Sequence, residues 1–321
     1  MLLRLLIALV LMPLGACTAT PAEPAVKSIA LTFDDAPIAD GPLFTGTERT
    51  QRLIAALREA KVPQAAFFVT TGHINRPEDE ARLRAYAAAG HVLANHSHGH
   101  RWLRRIGPAA YLQDIDRAEQ DMKGLPNRRA WFRYPYLNEA SGSLVRDAVR
   151  AGLVDRGLFN GYVTVDTWDW ALLALLRKAK AAGRPVDMDA LRTLYLEIML
   201  SAVETYDGIA VRALGRSPAH VLLAHENDLQ ALFIGDLVTA LRERGWTIVS
   251  PDEAYQDPIA SVTPDTLHLG NGRVAAIAAV KGVPAEQLKD KYHDEKLLAE
   301  LFEARVVRSK TGDTTVAPSV P

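Results

Sequence analysis

The sequence predicts an α/β fold, an open or closed (β/α) barrel of about seven parallel strands with a helical insertion and a C-terminal extension. From residue 28 onward, short apolar runs alternate with segments of helical period, as in chains whose parallel strands are joined by helices. Polar, chemically reactive residues follow several of these runs directly. The number of strand–helix units favours a barrel, and a doubly wound sheet is the alternative that periodicity alone leaves open.

Seven runs have the length and composition of strands, and we place them at 28–33, 65–70, 91–94, 130–132, 162–165, 220–224 and 247–249. Five connecting helices are predicted at 47–60, 77–89, 108–123, 143–151 and 229–244. Thr47 is expected to cap the first helix, and Pro77 and Pro108 suit first helical turns. Glycines stand near the ends of most of these helices, as expected for helix termination.

Residues 170–219 interrupt this alternation. Two apolar helical patterns, at 170–182 and 190–214, surround a Gly-Arg-Pro break, and we interpret them as an inserted helical pair that flanks one mouth of the barrel. From 258 to 321 the alternation is lost, with one helix expected at 285–304 and a final tail of disordered composition. The predicted catalytic domain is therefore 28–257, and we assign no function to the extension 258–321.

The N-terminus has the layout of an export signal. Arg4 precedes an apolar stretch that is shorter than the roughly 20 residues needed to span a bilayer. The following LGAC tetrapeptide resembles a bacterial lipobox, which predicts removal of residues 1–16 and lipidation of Cys17. Residues 17–27 would be a tether, and the exported chain would be held to a membrane facing the periplasm or exterior. An ordinary cleaved signal with an incidental cysteine is the alternative.

Charge and cysteine content exclude several classes of protein. The chain has 37 Lys and Arg against 38 Asp and Glu, a net charge of −1, so no broad positive field favours nucleic acid. Its one cysteine forms no internal disulfide and supplies no thiolate zinc site of the usual kind. Any metal must therefore be bound by histidines and carboxylates.

Candidate ligands occur in two motifs. Asp34 and Asp35 end the first predicted strand, and His96, His98 and His100 follow the third. Two imidazoles and one carboxylate form a normal catalytic zinc set, and we choose His96 and His100 because His98 is expected to face elsewhere. The alternative to metal binding is that the histidines form a surface cluster and that the two aspartates belong to a solvated turn.

Three further motifs follow later strands: RYPY at 133–136, DTWDW at 166–170 and LAH at 223–225. Taken singly, each is compatible with an ion pair, core packing or a strand end. Together with the first two motifs, all five stand at the carboxyl ends of predicted strands, the face where (β/α) barrels gather catalytic groups. The pattern therefore predicts one active site at this face.

In order, the motifs TFDDAP, HSHGH, RYPY, DTWDW and LAH resemble those of the polysaccharide deacetylases, carbohydrate esterase family 4, over about residues 28–255. The resemblance implies a distorted (β/α) barrel, one divalent metal, usually Zn²⁺, and hydrolysis of acetyl groups from sugar polymers or oligomers. It departs at Ala36, where the family commonly has glycine, and in the long separation before LAH.

The resemblance also implies roles for the residues at the matching positions of this sequence. Asp35, His96 and His100 would bind the metal. Asp34, held by Arg133, would be the general base, and His225, with Asp169 beside it, would be the general acid. The backbone N–H of Tyr136 would donate to the oxyanion, and Trp170 and Leu223 would form the walls of the acetyl pocket.

The expected substrate is an acetylated polysaccharide or oligosaccharide of the cell envelope or exterior, with N-acetyl amides favoured. An O-acetyl esterase acting on xylan or an exopolysaccharide would use the same residues and is the first alternative. A non-catalytic carbohydrate-binding protein is the second, and it would be expected to lack a ligand or the base, whereas this sequence retains all of them. Membrane contact is expected only through the lipid anchor.

Overall fold

The computed structural model describes residues 27–308. The predicted signal peptide, Cys17, nearly all of the tether and the final tail lie outside these residues. Among the helices that are described, none is both long enough and apolar enough to cross a bilayer.

Within residues 27–308 seven strands form one sheet, and every pairing between them is parallel. The strands are β1 Lys27–Ala36, β2 Ala66–Val69, β3 Val92–Asn95, β4 Arg128–Phe132, β5 Phe159–Asn160, β6 Ala219–His225 and β7 Trp246–Ile248. Their order is β5-β4-β3-β2-β1-β6, and β7 pairs with β1. The predicted distorted barrel of parallel strands is confirmed.

Ten α-helices are described: α1 Gly46–Glu59, α2 Pro77–Ala88, α3 Leu103–Asp121, α4 Ser143–Asp155, α5 Asp169–Ala181, α6 Met188–Leu214, α7 Asp228–Glu243, α8 Pro251–Ala254, α9 Gly272–Val280 and α10 Glu295–Arg305. The prediction that Thr47 caps α1 is wrong. Thr45 is the cap: its hydroxyl accepts from the Glu48 N–H at 3.2 Å, and the Glu48 carboxylate accepts from the Thr45 N–H. Glu48 stands three residues after Thr45, the spacing of a capping box.

Strand β1 pairs with β2, β6 and β7, and its two faces have different surroundings. Leu31 and Phe33 belong to the apolar core, which they share with Leu53 of α1. Thr32, two residues before Asp34, contacts the same Arg133 guanidinium as Asp34 does. Alternation along the strand therefore separates a dry core from a polar barrel interior.

The fifth strand differs from the prediction of 162–165. β5 comprises only Phe159 and Asn160, which pair with β4, and Val165 forms an isolated bridge to Leu222 of β6. The segment 159–165 thus bonds to β4 at one end and to β6 at the other. Because its hydrogen bonds are divided between two partners, it does not form one continuous strand.

The predicted helical pair is present as α5 and α6, but α6 is a core helix rather than a border of the mouth. Leu194, Tyr195 and Tyr206 of α6 are fully buried, and the helix packs against α7 and α9. The first turn of α5 contains Asp169, which is buried, and Trp170, which is exposed. The long apolar pattern of 190–214 reflects this burial on several sides.

The extension contains α9, which the sequence prediction missed, and α10, which begins ten residues later than the helix predicted there. Gly272 opens α9 at φ +81°, and a Cβ at this position would lie 2.7 Å from the carbonyl oxygen of Val163. The backbone N–H of Arg273 donates to that same oxygen at 2.7 Å. The extension is therefore packed directly onto the segment 159–165.

Candidate active site

A cleft of about 500 Å³ opens at the carboxyl ends of the strands. Its lining comprises Asp34, Asp35, His96, His100, Tyr136, Leu137, Asp166, Trp168, Trp170, Leu223, His225 and Gly270. Eight of the ten predicted catalytic, metal-binding and pocket residues are in this set, and the other two, Arg133 and Asp169, are buried directly behind it. His98 instead bonds to Asp121 at 2.9 Å, outside the lining, in agreement with the prediction that it faces elsewhere.

Asp34 and Asp35 both reach the cleft although neighbours on a strand normally point to opposite faces. The pairing of β1 with β2 is irregular between Phe33 and Ala36, and Asp35 has φ +69° in the left-handed region. This bulge turns the second carboxylate toward the same side as the first. The sequence offered no signal for it beyond the proline that follows.

Three candidate metal ligands, Asp35, His96 and His100, have ligand atoms within 4.8 Å of one another. The Nε2 atoms of His96 and His100 lie 3.6 and 3.2 Å from Oδ1 of Asp35. Nδ1 of His96 donates to the carbonyl of Arg133 at 2.9 Å, which leaves the Nε2 lone pair directed at the carboxylate. The donor set and its orientation fit a divalent cation such as Zn²⁺.

The electrostatics of this cluster favour the forms that bind metal. Burial alone would raise the pKa of Asp35, but the neighbouring His100 and His96 outweigh it and lower that pKa to about 2. Burial lowers the pKa of His100 to about 4. Near neutral pH the cluster therefore offers an ionised carboxylate and an uncharged His100 ring.

Asp34 is held by a buried arginine. Its Oδ1 accepts from Nη1 of Arg133 at 2.6 Å, and its Oδ2 lies 3.6 Å from Nε2 of His96. Arg133 is itself fixed by donation to the carbonyl of Gly161 at 2.7 Å and to the hydroxyl of Tyr255 at 3.1 Å. One carboxylate oxygen is thus bound to the guanidinium and the other is directed toward the metal cluster.

His225, which pairs with Asp34 in the β1–β6 register, is bonded to Asp169. Its Nδ1 lies 2.7 Å from Oδ1 of Asp169, whose Oδ2 accepts from Asn227 at 2.8 Å and Gln230 at 3.0 Å. Burial alone would lower the pKa of His225, but the negative charges, Asp169 first, raise it to about 10. The ring is therefore held in its protonated form.

Asn227 and Gln230 were not predicted as site residues. Asn227 caps α7 by accepting from the N–H groups of Leu229 and Gln230, and its amide donates to Asp169 at the same time. An Asn immediately before a helical pattern is a recognisable cap signal, but the link to Asp169 depends on a contact across 58 positions of sequence.

The predicted pocket residues line the cleft near its mouth. Tyr136 has φ +59° and its half-exposed ring lies 4.5 Å from that of His100, centroid to centroid. Trp170 is 41% exposed and lies 5.2 Å from Trp168. Leu223 of β6 is buried below them. An apolar surface with aromatic rings thus adjoins the polar cluster, as in many sites that bind small organic ligands.

Parts of this chain are similar in sequence to known deacetylases. Residues 22–154 match the family model described as polysaccharide deacetylase. Chitooligosaccharide deacetylases from Bradyrhizobium sp. (strain ANU 289) and Rhizobium leguminosarum bv. trifolii are 31% and 40% identical over 150 and 89 residues. These segments cover 45% and 28% of this chain but only 59% and 36% of the relatives, less than two thirds of their length.

Among solved structures, the polysaccharide deacetylase Bc1974 from Bacillus cereus has a TM-score of 0.50 and 19% identity, covering 70% of this chain and 91% of its own. At this identity the likeness concerns the fold alone. The matched residues 22–154 contain TFDDAP, HSHGH and RYPY, whereas DTWDW and LAH lie beyond them. This chain is therefore similar in sequence to polysaccharide deacetylases over its N-terminal part, and similar in fold to one solved deacetylase.

Proposed function

We propose that this chain hydrolyses acetyl groups, N-acetyl amides in preference, from a polysaccharide or oligosaccharide of the cell envelope or exterior. The observation that carries the proposal is one cleft containing the cluster of Asp35, His96 and His100 between the Arg133–Asp34 pair and the Asp169–His225 pair. The names of the two curated relatives, both chitooligosaccharide deacetylases, support the same activity.

Asp35, His96 and His100 would hold the divalent ion. When bound, such an ion supplies Lewis acidity at the acetyl carbonyl and lowers the pKa of a water molecule. Asp34 takes the proton of the attacking water at Oδ2, the oxygen directed toward the cluster, while Arg133 holds the carboxylate in position. A new bond forms between the water oxygen and the carbonyl carbon.

The oxyanion created by this attack is stabilised by the backbone N–H of Tyr136. His225 then protonates the departing nitrogen as the carbon–nitrogen bond breaks, which yields acetate and a free amine. The pairing with Asp169 keeps a proton available on His225. The base and the acid are thus different residues, and each is paired with a side chain of opposite charge.

Acetate release by the purified, zinc-loaded protein tests the proposal. Tetra-N-acetylchitotetraose, peptidoglycan and acetylated xylan should be compared, with the Asp34→Asn variant as the matched control. Acetate from an N-acetylated substrate, lost in the variant, is the expected result. Release from the xylan ester alone would reassign the activity to an O-acetyl esterase, and release from none of them would contradict the proposal.

We also propose that the protein is exported and lipid-anchored, on the basis of the N-terminal sequence alone. The LGAC tetrapeptide and Cys17 lie outside the described residues. The wild-type protein should fractionate with bacterial membranes, and Cys17→Ser should release or mislocalise it. A soluble wild-type protein with an unmodified thiol would contradict the anchor.

A further inference from the structure

Asp166 is a carboxyl group in the cleft that the mechanism above does not use. It lies at the end of the segment 159–165 and lines the same cleft as Asp34 and His225. Its side chain is only 13% exposed. Across residues 27–308, no other side chain forms a hydrogen bond with this carboxyl group. The backbone N–H of Thr167 bonds to it, but a carboxyl group has room for several hydrogen bonds, so a group that enters the cleft can be a further partner.

His293, from the C-terminal extension, stands behind this position. Its ring is stacked on that of Trp168, with centroids 5.0 Å apart and planes 13° apart. Its Nδ1 lies 3.7 Å from Oδ2 of Asp166 and 3.4 Å from Nδ2 of Asn271. His293 therefore packs against an aromatic ring of the cleft wall and lies beside its carboxyl group, beyond hydrogen-bond distance.

Burial favours the uncharged forms of both His293 and Asp166. Burial lowers the pKa of His293 to about 4, so its ring carries no positive charge near neutral pH. Burial raises the pKa of Asp166 to about 8, so the protonated carboxyl group prevails there and offers both a donor and an acceptor. Neither group has the charge that would select an ion.

The indole rings beside Asp166 indicate the class of ligand. Trp168 and Trp170 lie 5.2 Å apart, and Trp170 is 41% exposed. The apolar C–H faces of a sugar pack on such rings, and its hydroxyl or amide groups require neutral hydrogen-bonding partners. A carboxyl group able both to donate and to accept, next to exposed indoles, meets both requirements.

We propose that Asp166 is a further substrate-binding residue, which hydrogen-bonds a hydroxyl or amide group of the sugar in the cleft, and that His293 is the positioning residue behind it. The inference rests on the proposed function, because it takes the ligand to be a saccharide. It also gives part of the extension 258–321 a role, since Gly270 lines the cleft and His293 supports it.

Binding of tetra-N-acetylchitotetraose by calorimetry tests this role without turnover, in full-length protein carrying Asp34→Asn and loaded with zinc. Asp166→Ala should weaken binding about 3- to 10-fold, the range for loss of one neutral hydrogen bond. Asp166→Asn should stay within about twofold, because an amide of the same shape also donates and accepts. Asp166→Leu, nearly isosteric, gives the same test should the alanine variant fail to fold.

His293→Ala should weaken binding in the same direction, and its effect should not add to that of Asp166→Ala, because the two residues act as a unit. The matched control is Asp265→Ala, an aspartate of the extension that is 89% exposed and lies outside the cleft lining. In otherwise wild-type enzyme the Asp166→Ala change should appear mainly in KM rather than kcat.

Wild-type affinity in both Asp166→Ala and Asp166→Leu would overturn the inference. An equal loss of affinity in Asp166→Asn and Asp166→Ala would overturn it as well. Binding would then depend on the negative charge of the carboxylate and not on neutral hydrogen bonding. If wild-type enzyme releases acetate but these variants bind normally, only the inference fails. If wild-type enzyme neither releases acetate nor binds the tetramer, the proposed function fails first, and this inference fails with it.

Discussion

His225 and Asp34 are paired residues on neighbouring parallel strands: the register of β6 against β1 places their Cα atoms opposite each other. Each has its own buried partner of opposite charge, Asp169 for the imidazole and Arg133 for the carboxylate. Backbone pairing therefore sets the proposed acid and base side by side. Their side chains are held separately, by Asp169 of α5 and by Arg133, the residue that follows β4.

Asp169→Asn should shift the pH dependence of kcat/KM. Removing the negative charge lowers the pKa of His225, so the ring loses its proton at a lower pH than in wild type. Because the protonated ring is the reactive form, the alkaline limb moves to lower pH, by about one unit for each 1.4 kcal/mol of interaction lost. An unshifted alkaline limb, with activity still measurable, would show that Asp169 does not tune this histidine.

Asp34→Asn should separate catalysis from metal binding. The amide keeps the shape of the side chain but accepts no proton, so turnover should fall roughly 100-fold or more while zinc content stays at wild-type level. Asp35→Asn should instead reduce the zinc content, because Asp35 is the carboxylate of the ligand cluster. Plasma emission analysis of dialysed protein, beside acetate release, measures both. The reverse pattern of metal loss would exchange the two roles.

His96→Ala should abolish stoichiometric zinc binding and activity together. His96 supplies one of the three ligand atoms, and its ring is oriented by the hydrogen bond to the Arg133 carbonyl. His98→Ala is the matched control, since His98 belongs to the same motif but bonds to Asp121 instead. Full zinc content in His96→Ala would reject the ligand assignment.

Glu226→Gln should destabilise the fold. The Glu226 carboxylate is fully buried and accepts from Arg49 at 3.1 Å, Arg82 at 2.8 Å and the hydroxyl of Tyr86 at 2.7 Å. The substitution leaves two buried guanidinium groups short of a counter-charge, which costs about 3–5 kcal/mol of unfolding free energy. Urea denaturation measures this loss. A loss below about 1 kcal/mol would contradict the assigned role.

Glu80→Gln is the matched control for that measurement. Glu80 and Arg84 form an ion pair at 2.7 Å on α2, and about half of each side chain is exposed. Such surface pairs contribute about 0–1 kcal/mol. The control should therefore change the denaturation midpoint little, and a change equal to that of Glu226→Gln would show that burial does not distinguish the two carboxylates.

The order of strands and the placement of reactive residues could be predicted from sequence because both are local patterns. Short apolar runs end in Asp34, in the His96 motif and in His225, and parallel strands bring their carboxyl ends to one edge. The cap of α1 is also a local pattern: Glu48 stands three residues after Thr45, whereas Thr47 has Thr50 at that spacing and so lacks the capping-box signal.

Other features depend on contacts between distant parts of the chain. The segment 159–165 divides its hydrogen bonds between β4 and β6, so no single strand pattern could describe it. The apolar run of α9 is only nine residues long and is helical because it packs against α6. Short helices have little stability of their own, and tertiary burial decides whether they form.

The sequence by itself determined which chemical groups this protein has and that they follow successive parallel strands. Tertiary structure alone decided how those groups are paired: the bulge that turns Asp35 into the cleft, the contact of Asp169 with Gln230, and the support that His293 gives to Trp168. The physical reason is that composition and periodicity are local properties, whereas the distances between side chains are set by strand register and by the packing of distant segments.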